Sequence, residues 1–476
     1  MRTAWEIADA IAAGSLSAVT AARECLAAIE EYDGDVNAYT VVLRDEALTK
    51  AADVDRRIAA GERLGPLAGV PVSIKDQIWL AGAPATNGSR VLADFRPGTS
   101  AVAVDRLLQA DAVVLGKTNN PEFCYRGVTT NELFGTTRNP RDLSRTTGGS
   151  SGGAAASIAS GMAHLALGSD GGGSIRIPSA FCGVAGLKPT YGLVPTTPGF
   201  RGWPSLSVVG PIASNVHDLA LAMTVLAGPA PEDPTSVAPP RPLDFLGAAH
   251  TASLDGLRIA ASPTLGFAEL DDDVRGAFER ALDTLRRSGA TIDLAHPDPV
   301  DVCALWDATG LPEGNAAQGQ LLADRPDLIG ADAAAIIEAG AGISARDYLD
   351  AQAARSRFTT SWLRFLSEYD VLLTPTLPVT AFAADRLGPA TVGGRAVPDG
   401  FDAWCALLLP ANLAGLPAAS VPISPPGALP VGMQVVGTRF ADDVVVRAAA
   451  AIERLVAGPD AASSERHGGR AGSAQA

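Results

Sequence analysis

Three stretches of this 476-residue chain carry residue types and spacings that can do chemistry. Lys75 ends the apolar run Val70-Pro71-Val72-Ser73-Ile74-Lys75. A lysine is costly to bury while charged, so burial there would lower its pKa and leave a neutral amine able to accept a proton. The other two stretches are glycine-rich and end in or contain serines: Gly149-Ser150-Ser151-Gly152 and Gly171-Gly172-Gly173-Ser174. Consecutive glycines let backbone N–H groups converge on one point and let a substrate come close. Such a nest stabilises an oxyanion, and a serine at its end stands where it can attack the carbonyl carbon. Each feature also has a plainer reading. A lysine at a strand end commonly reaches solvent, a GGSSGG stretch can be a flexible loop, and a glycine nest suits a phosphate as well as an oxyanion. Residue types alone leave these alternatives open.

Other chemistries fail on spacing. Gly116-Lys117-Thr118 resembles the end of a phosphate-binding loop, but the position that needs glycine holds Asp111. There is no GxGxxG after a strand, no HExxH, no GxSxG elbow and no CxxC pair among Cys25, Cys124, Cys182, Cys303 and Cys405. A Ser-His-Asp triad would need His164, His217, His250, His296 or His467. His164 falls in an Ala-rich helical region, His217 opens an apolar helix where capping or surface roles fit, and the rest lie in loop-like or tail contexts. A serine nucleophile here would take its base from another residue type.

The elements that must hold these residues read as α/β. Residues 4–60 read as helical, with Ser15 and Ser17 as caps between two helices. Residues 69–75 and 112–116 read as strands, with a helix over 100–110 between them. The two glycine loops flank a helix that runs into a strand. Strand-like runs return at 257–261, 370–375, 418–423 and 431–437, and helical patterns at 274–289 and 444–458. Residues 229–242 are Pro-rich and read as a surface loop. Helix and strand alternate without a convincing linker, which predicts one large α/β domain.

Composition sets limits on function. Hydrophobic residues make up 47% and charged residues 19%, enough apolar material for a sizeable core. The net charge of −15 argues against non-specific nucleic-acid binding. Sparse, scattered cysteines suit a reducing compartment. The N-terminus lacks the apolar stretch of a signal peptide, and no run is long enough to span a membrane. These features predict a soluble, cytoplasmic protein.

Longer motifs narrow the reading. Residues 148–192, GGSSGGAAASIASGMAHLALGSDGGGSIRIPSAFCGVAGLKPTYG, resemble the hallmark segment of the amidase signature family. PLAGVPVSIKD (66–76), LGKTNNPEF (115–123), GTTRNP (135–140), LTPTLP (373–378) and the 409–437 stretch are similar to that family too. The resemblance extends to about residue 456 and is weakest over 229–370. It implies a single domain over 1–458 with a central mixed sheet covered by helices on both faces. Within it would lie N-terminal helices (1–60), a catalytic core (66–228), a variable substrate-side region (229–370) and a C-terminal part of the core (371–458). A disordered tail (459–476) would follow.

The resemblance also implies a Ser–cis-Ser–Lys triad. By motif these are Ser174 as nucleophile, Ser150 after a cis peptide bond, and Lys75 as the base. The oxyanion hole would be the N–H groups of Gly171, Gly172, Gly173 and Ser174. Asp170 and Arg176 bracket the nucleophile loop and are expected to brace it as an ion pair, with direct substrate contact as the rival. Cys124, Tyr125 and Ser151 are candidate substrate-binding residues, with packing roles the alternative for the first two. Trp306 and Trp404 are candidates for an aryl-accepting wall. No metal or organic cofactor is implied.

The implied function is hydrolysis of a small carboxamide or related C–N bond through a Ser174 acyl-enzyme. Aryl or alkyl amides, anilides, hydrazides, lactams and peptide amides are the candidate substrates. Two alternatives stand beside it. One is the glutamine-hydrolysing subunit of a tRNA-dependent amidotransferase, which typically carries Asp-Gln before a Gly-Pro pair; here Ser205–Pro211 lacks it. The other is an inactive scaffold, disfavoured because every triad position is present. Beyond the small-molecule substrate, a homodimer is left open, and neither nucleic acid nor membrane is expected as a partner.

Overall fold

The structure is a computed structural model that describes residues 2–200, 202–398, 402–425 and 427–458. The tail expected to be disordered lies outside the described residues. Eleven strands build one mixed sheet. In chain order they are β1 (Tyr39–Val42), β2 (Pro71–Lys75), β3 (Val113–Thr118), β4 (Leu165–Asp170), β5 (Ala185–Lys188) and β6 (Val208–Ala213). The second half supplies β7 (Ile259–Ala261), β8 (Ile292–Leu294), β9 (Val371–Pro375), β10 (Ala418–Pro422) and β11 (Gly432–Gly437). Their order across the sheet is β1-β3-β2-β4-β6-β5-β10-β11-β9-β7-β8. Fourteen α-helices flank the sheet among the described residues.

The strand sequences explain this placement. Every residue of β2, β3, β4, β5, β6, β9 and β11 is buried, on both alternating faces. Strands buried on both sides must be covered on both faces, and near-continuous apolar runs such as Val371–Pro375 meet that demand. The pairings β3–β2–β4 and β9–β7–β8 are parallel, and the remaining pairs are antiparallel. The expectation of one α/β domain with a mixed sheet therefore agrees with the architecture.

Some local expectations are corrected. Residues 4–60 are not helical throughout. The helix Ala18–Val36 ends at Asn37 in the left-handed region (φ 55°), and Tyr39–Val42 then pairs with β3 as an edge strand. Ser17 caps the Ala18–Val36 helix by accepting from the Thr20 N–H, but Ser15 instead donates to the Ala10 carbonyl and closes the preceding helix. His164 lies in the link between the helix Gly152–Ala159 and β4, not in the helix. The Pro-rich loop runs largely exposed as expected. It is pinned by Asp233, which is buried and accepts from the Thr196 N–H and the Thr235 N–H and hydroxyl.

Candidate active site

The parallel pair β2–β4 brings the two sequence-distant halves of the site to one edge of the sheet. Ile74 lies opposite Leu167, so Lys75 at the end of β2 faces the Gly168–Asp170 end of β4. Lys75 is fully buried, and burial pushes its ammonium below the ordinary lysine range. Its Nζ is 2.6 Å from Ser150 Oγ and 2.8 Å from Ser169 Oγ. Both neighbours are hydroxyls, which can accept from an ammonium or donate to an amine.

Ser150 is carried on the first glycine loop, where the Gly149–Ser150 peptide is cis. The loop needs glycine because it threads against other backbone: a Cβ on Gly149 would lie 2.6 Å from the Val128 carbonyl oxygen. The helix Gly152–Ala159 starts immediately afterwards. Ser151, expected to touch substrate, instead ties the two glycine loops together. It is fully buried, its N–H donates to the Ser174 carbonyl at 3.1 Å, and its hydroxyl bonds the Ser169 carbonyl and N–H at 3.2 and 3.3 Å. Its hydroxyl is therefore already engaged by backbone.

Ser174 follows Gly173, whose φ of +116° disfavours any side chain and where a Cβ would lie 2.4 Å from Leu408 Cδ1. The N–H groups of Gly171, Gly172 and Ser174 have no hydrogen-bond acceptor among the described residues. Gly173 departs from the expected set of four oxyanion donors. Its N–H is held by Asp170 Oδ1 at 2.7 Å and is not available in this conformation. Ser174 Oγ likewise makes no hydrogen bond among the described residues. Ser150 and Ser174 are thus not hydrogen-bonded in this conformation.

Behind the loop, Asp170 and Arg176 form a fully buried bidentate pair, Nη2–Oδ1 2.8 Å and Nε–Oδ2 2.9 Å. The guanidinium holds the Asp170 carboxyl well below the usual carboxylate range. Arg176 also donates to Gln434 Oε1, Asn412 Oδ1 and the Leu408 carbonyl, while Asn412 donates to the Asp170 carboxylate and carbonyl. Asp170 and Arg176 were expected from sequence. Asn412 and Gln434 were not, because they arrive from the helix Leu409–Leu413 and from β11, more than 230 residues along the chain.

Cys124 and Tyr125 sit beside this machinery. The Cys124 thiol donates towards Gln77 Oε1 (3.3 Å) and Asn87 Oδ1 (3.5 Å), and burial pushes it up. The Tyr125 hydroxyl is taken by Gln318 Oε1 at 2.5 Å, and its ring packs on Trp203 with centroids 5.4 Å apart. That is the packing alternative for Tyr125. Trp306 donates its indole N–H to the Gly171 carbonyl at 3.0 Å and meets Trp203 edge-on. Trp404 instead fills a second apolar cluster, stacked on Phe181. Ser169, against Lys75, and Gln77, against Ser169, are singled out by no sequence motif. No group of three or more His, Cys, Asp or Glu side chains able to hold a metal occurs among the described residues.

A model of the Amidase family matches residues 20–446. The chain belongs to the amidase signature family. It is 39% identical to a glutamyl-tRNA(Gln) amidotransferase subunit of Acidothermus cellulolyticus, over 95% of this chain and 94% of that one. It is 36% identical to an acylamidase of Rhodococcus erythropolis, over 95% of each. Among solved structures it resembles a bacterial aryl acylamidase of the amidase signature family, with TM-score 0.88 and 31% identity, covering 96% of this chain and 99% of that one.

In this amidase-family chain, a cavity of about 540 Å³ opens beside the Lys75 cluster and is floored by Gln77 and Ser169. Trp79, Phe200 and Trp203 give it aromatic walls, and Glu232 and Asp233 lie at its lining. Lys and Arg are absent from that lining among the described residues. A second cavity, about 570 Å³, lies by Trp404 and Leu407; neither lining includes Lys75, Ser150 or Ser174, and only the first reaches Ser169, the hydrogen-bond partner of Lys75.

Proposed function

We propose that this amidase signature hydrolase cleaves neutral carboxamides as a free-standing amidase, through an acyl-enzyme on Ser174. The observation that carries the reading is the buried Lys75 Nζ, 2.6 Å from Ser150 Oγ, with a second hydroxyl as its other hydrogen-bond partner. An amine so placed can lose its proton and take another through a hydroxyl relay.

The neutral Lys75 lone pair takes the Ser150 proton while Ser150 Oγ takes the proton of Ser174. Ser174 Oγ bonds to the amide carbon, and the carbonyl π electrons move to oxygen. The N–H groups of Gly171, Gly172 and Ser174 hold that oxyanion. Its collapse breaks the C–N bond, and the departing nitrogen takes a proton returned from Lys75 through Ser150. Water then attacks the ester carbon and gives a proton to Lys75 by the same route; collapse breaks the ester C–O bond, that proton returns through Ser150 to Ser174 Oγ, and the acid departs. The Asp170–Arg176 pair holds the nucleophile loop in shape through Gly173.

The cavity supports an aromatic-tolerant substrate. Its aromatic walls suit an aryl or alkyl group. The second reading, a glutamine-hydrolysing component of an amidotransferase, is favoured by the 39% identity to such a protein.

Turnover of a mixed amide panel, with Ser174→Ala in parallel, tests both. The panel would hold anilides, aliphatic amides, hydrazides, lactams, peptide amides and glutamine. Hydrolysis of neutral amides by the wild type alone is the expected result. Hydrolysis of glutamine alone would support the amidotransferase reading, and full turnover by Ser174→Ala would overturn the serine mechanism.

A further inference from the structure

Lys75 Nζ has two hydroxyls within hydrogen-bond distance, with the Cys124 thiol beside them, and only one of the hydroxyls belongs to the proposed relay. The other, Ser169, lies at the end of β4 and is almost fully buried. Its hydroxyl is 2.8 Å from Lys75 Nζ and donates to Gln77 Oε1 at 2.7 Å. Gln77 is itself fixed: its backbone N–H donates to Asn120 Oδ1 at 3.1 Å. The Cys124 thiol lies 3.3 Å from the same Oε1.

The direction of these bonds matters for a base. A neutral amine has two N–H bonds and one lone pair. A freely rotating Ser169 hydroxyl could donate to that lone pair and compete with Ser150. With its proton committed to Gln77, Ser169 offers Lys75 only lone pairs. A Lys75 N–H then points at Ser169, and the lone pair stays free for Ser150.

We propose that Gln77 and Ser169 are positioning residues that orient the Lys75 amine, so that its lone pair faces Ser150. This rests on the Lys75–Ser150–Ser174 reading above and adds a reason why the lysine works in one direction. The other charged or titratable groups facing Lys75 are Cys124, from the turn Glu122–Cys124, and Asp170, from the end of β4. Asp170 is already neutralised by Arg176. Asp76, next along the chain, accepts from Thr86 and Thr40.

The test needs no knowledge of the natural substrate. The rate of Ser174 phosphonylation by a fluorophosphonate probe is followed from pH 5 to 10 in the wild type, Gln77→Leu, Gln77→Glu, Ser169→Ala and Ser169→Thr. The adduct is mapped by mass spectrometry. Gln77→Leu is expected to lower the saturating rate about 10- to 100-fold. Its half-saturation should change less than about threefold, and its acid limb should move to lower pH, because the released Ser169 hydroxyl now stabilises the neutral amine. Gln77→Glu should move the acid limb to higher pH, since a carboxylate favours the ammonium, and should recover rate in alkali. Ser169→Ala should lose rate as Gln77→Leu does, and Ser169→Thr, which keeps the hydroxyl, should restore it.

Gln77→Leu with the wild-type rate and acid limb would overturn the proposal while leaving the triad intact. So would a change confined to half-saturation, which would make Gln77 a substrate contact. A wild type unlabelled at Ser174 at every pH would overturn the parent reading, and this one with it.

Discussion

Lys75 and Lys117 stand on adjacent parallel strands, and both are fully buried. Ile74, not Lys75, lies opposite Lys117, so the two lysines leave the sheet on opposite faces. Burial lowers the pKa of both, that of Lys117 to about 8. Their partners differ in kind. Lys117 Nζ donates to three backbone carbonyls, those of Asp76, Ile78 and Pro84, at 3.0, 2.6 and 3.3 Å. Carbonyls only accept, so that site holds an ammonium and uses it to pin the loop after β2. Lys75 meets two hydroxyls, which accept from an ammonium and donate to an amine. Equal burial thus produces a clamp in one place and a candidate base in the other. What separates them is whether the neighbours can reverse the hydrogen bond.

The largest expected effect breaks the pair at its reactive member. Lys75→Met should lower kcat/KM for amides about 10³-fold or more, because the relay loses its base. Its melting temperature should hold or rise, since a costly buried amine is replaced by an apolar chain. A variant that unfolds while keeping its specific activity would exchange the two roles.

Lys117→Met should do the reverse. It orphans three buried carbonyls and should cost on the order of 3 kcal/mol of stability, read from the denaturant midpoint. The surviving folded molecules should retain an acid limb set by Lys75.

Lys188 sharpens the contrast with the smallest effect. It is fully buried in β5 and donates to the Pro189 carbonyl at 2.9 Å. Burial and Arg176 push its pKa down to about 7, against an ordinary 10.5. A folded-state pKa below the unfolded one means stability is fully present above about 10.5 and is lost as pH falls towards 7. Lys188→Met should therefore stabilise the fold by about 1–3 kcal/mol at pH 7, and the gain should vanish near pH 10.5. Denaturant titrations at the two pH values check it.

The sequence made part of this legible. Lys75, Ser150 and Ser174 stand in motifs long enough to single them out, and the strands that carry Lys75 and Ser174's loop follow from apolar runs. The difference between Lys75 and Lys117 was hidden, because both are lysines in apolar strands. It depends on partners: Ser169 reaches Lys75 from 94 residues away, and the carbonyls reach Lys117 from more than 30. Gly173 shows the same limit. Its glycine is visible, but that its N–H turns to Asp170 follows from backbone torsion and not from residue type. The edge strand Tyr39–Val42 was missed because four residues between two helices carry too short a period to stand out.

The central claim is that Ser174 becomes an acyl-ester under the control of Lys75. Its most direct test is rapid acid quench of the protein turning over a neutral aryl amide, followed by intact and peptide mass spectrometry. The account predicts an added acyl mass on Ser174 in the wild type, and none in Ser174→Ala or Lys75→Met. An acyl group on another residue, or equal accumulation in folded Lys75→Met, would contradict it.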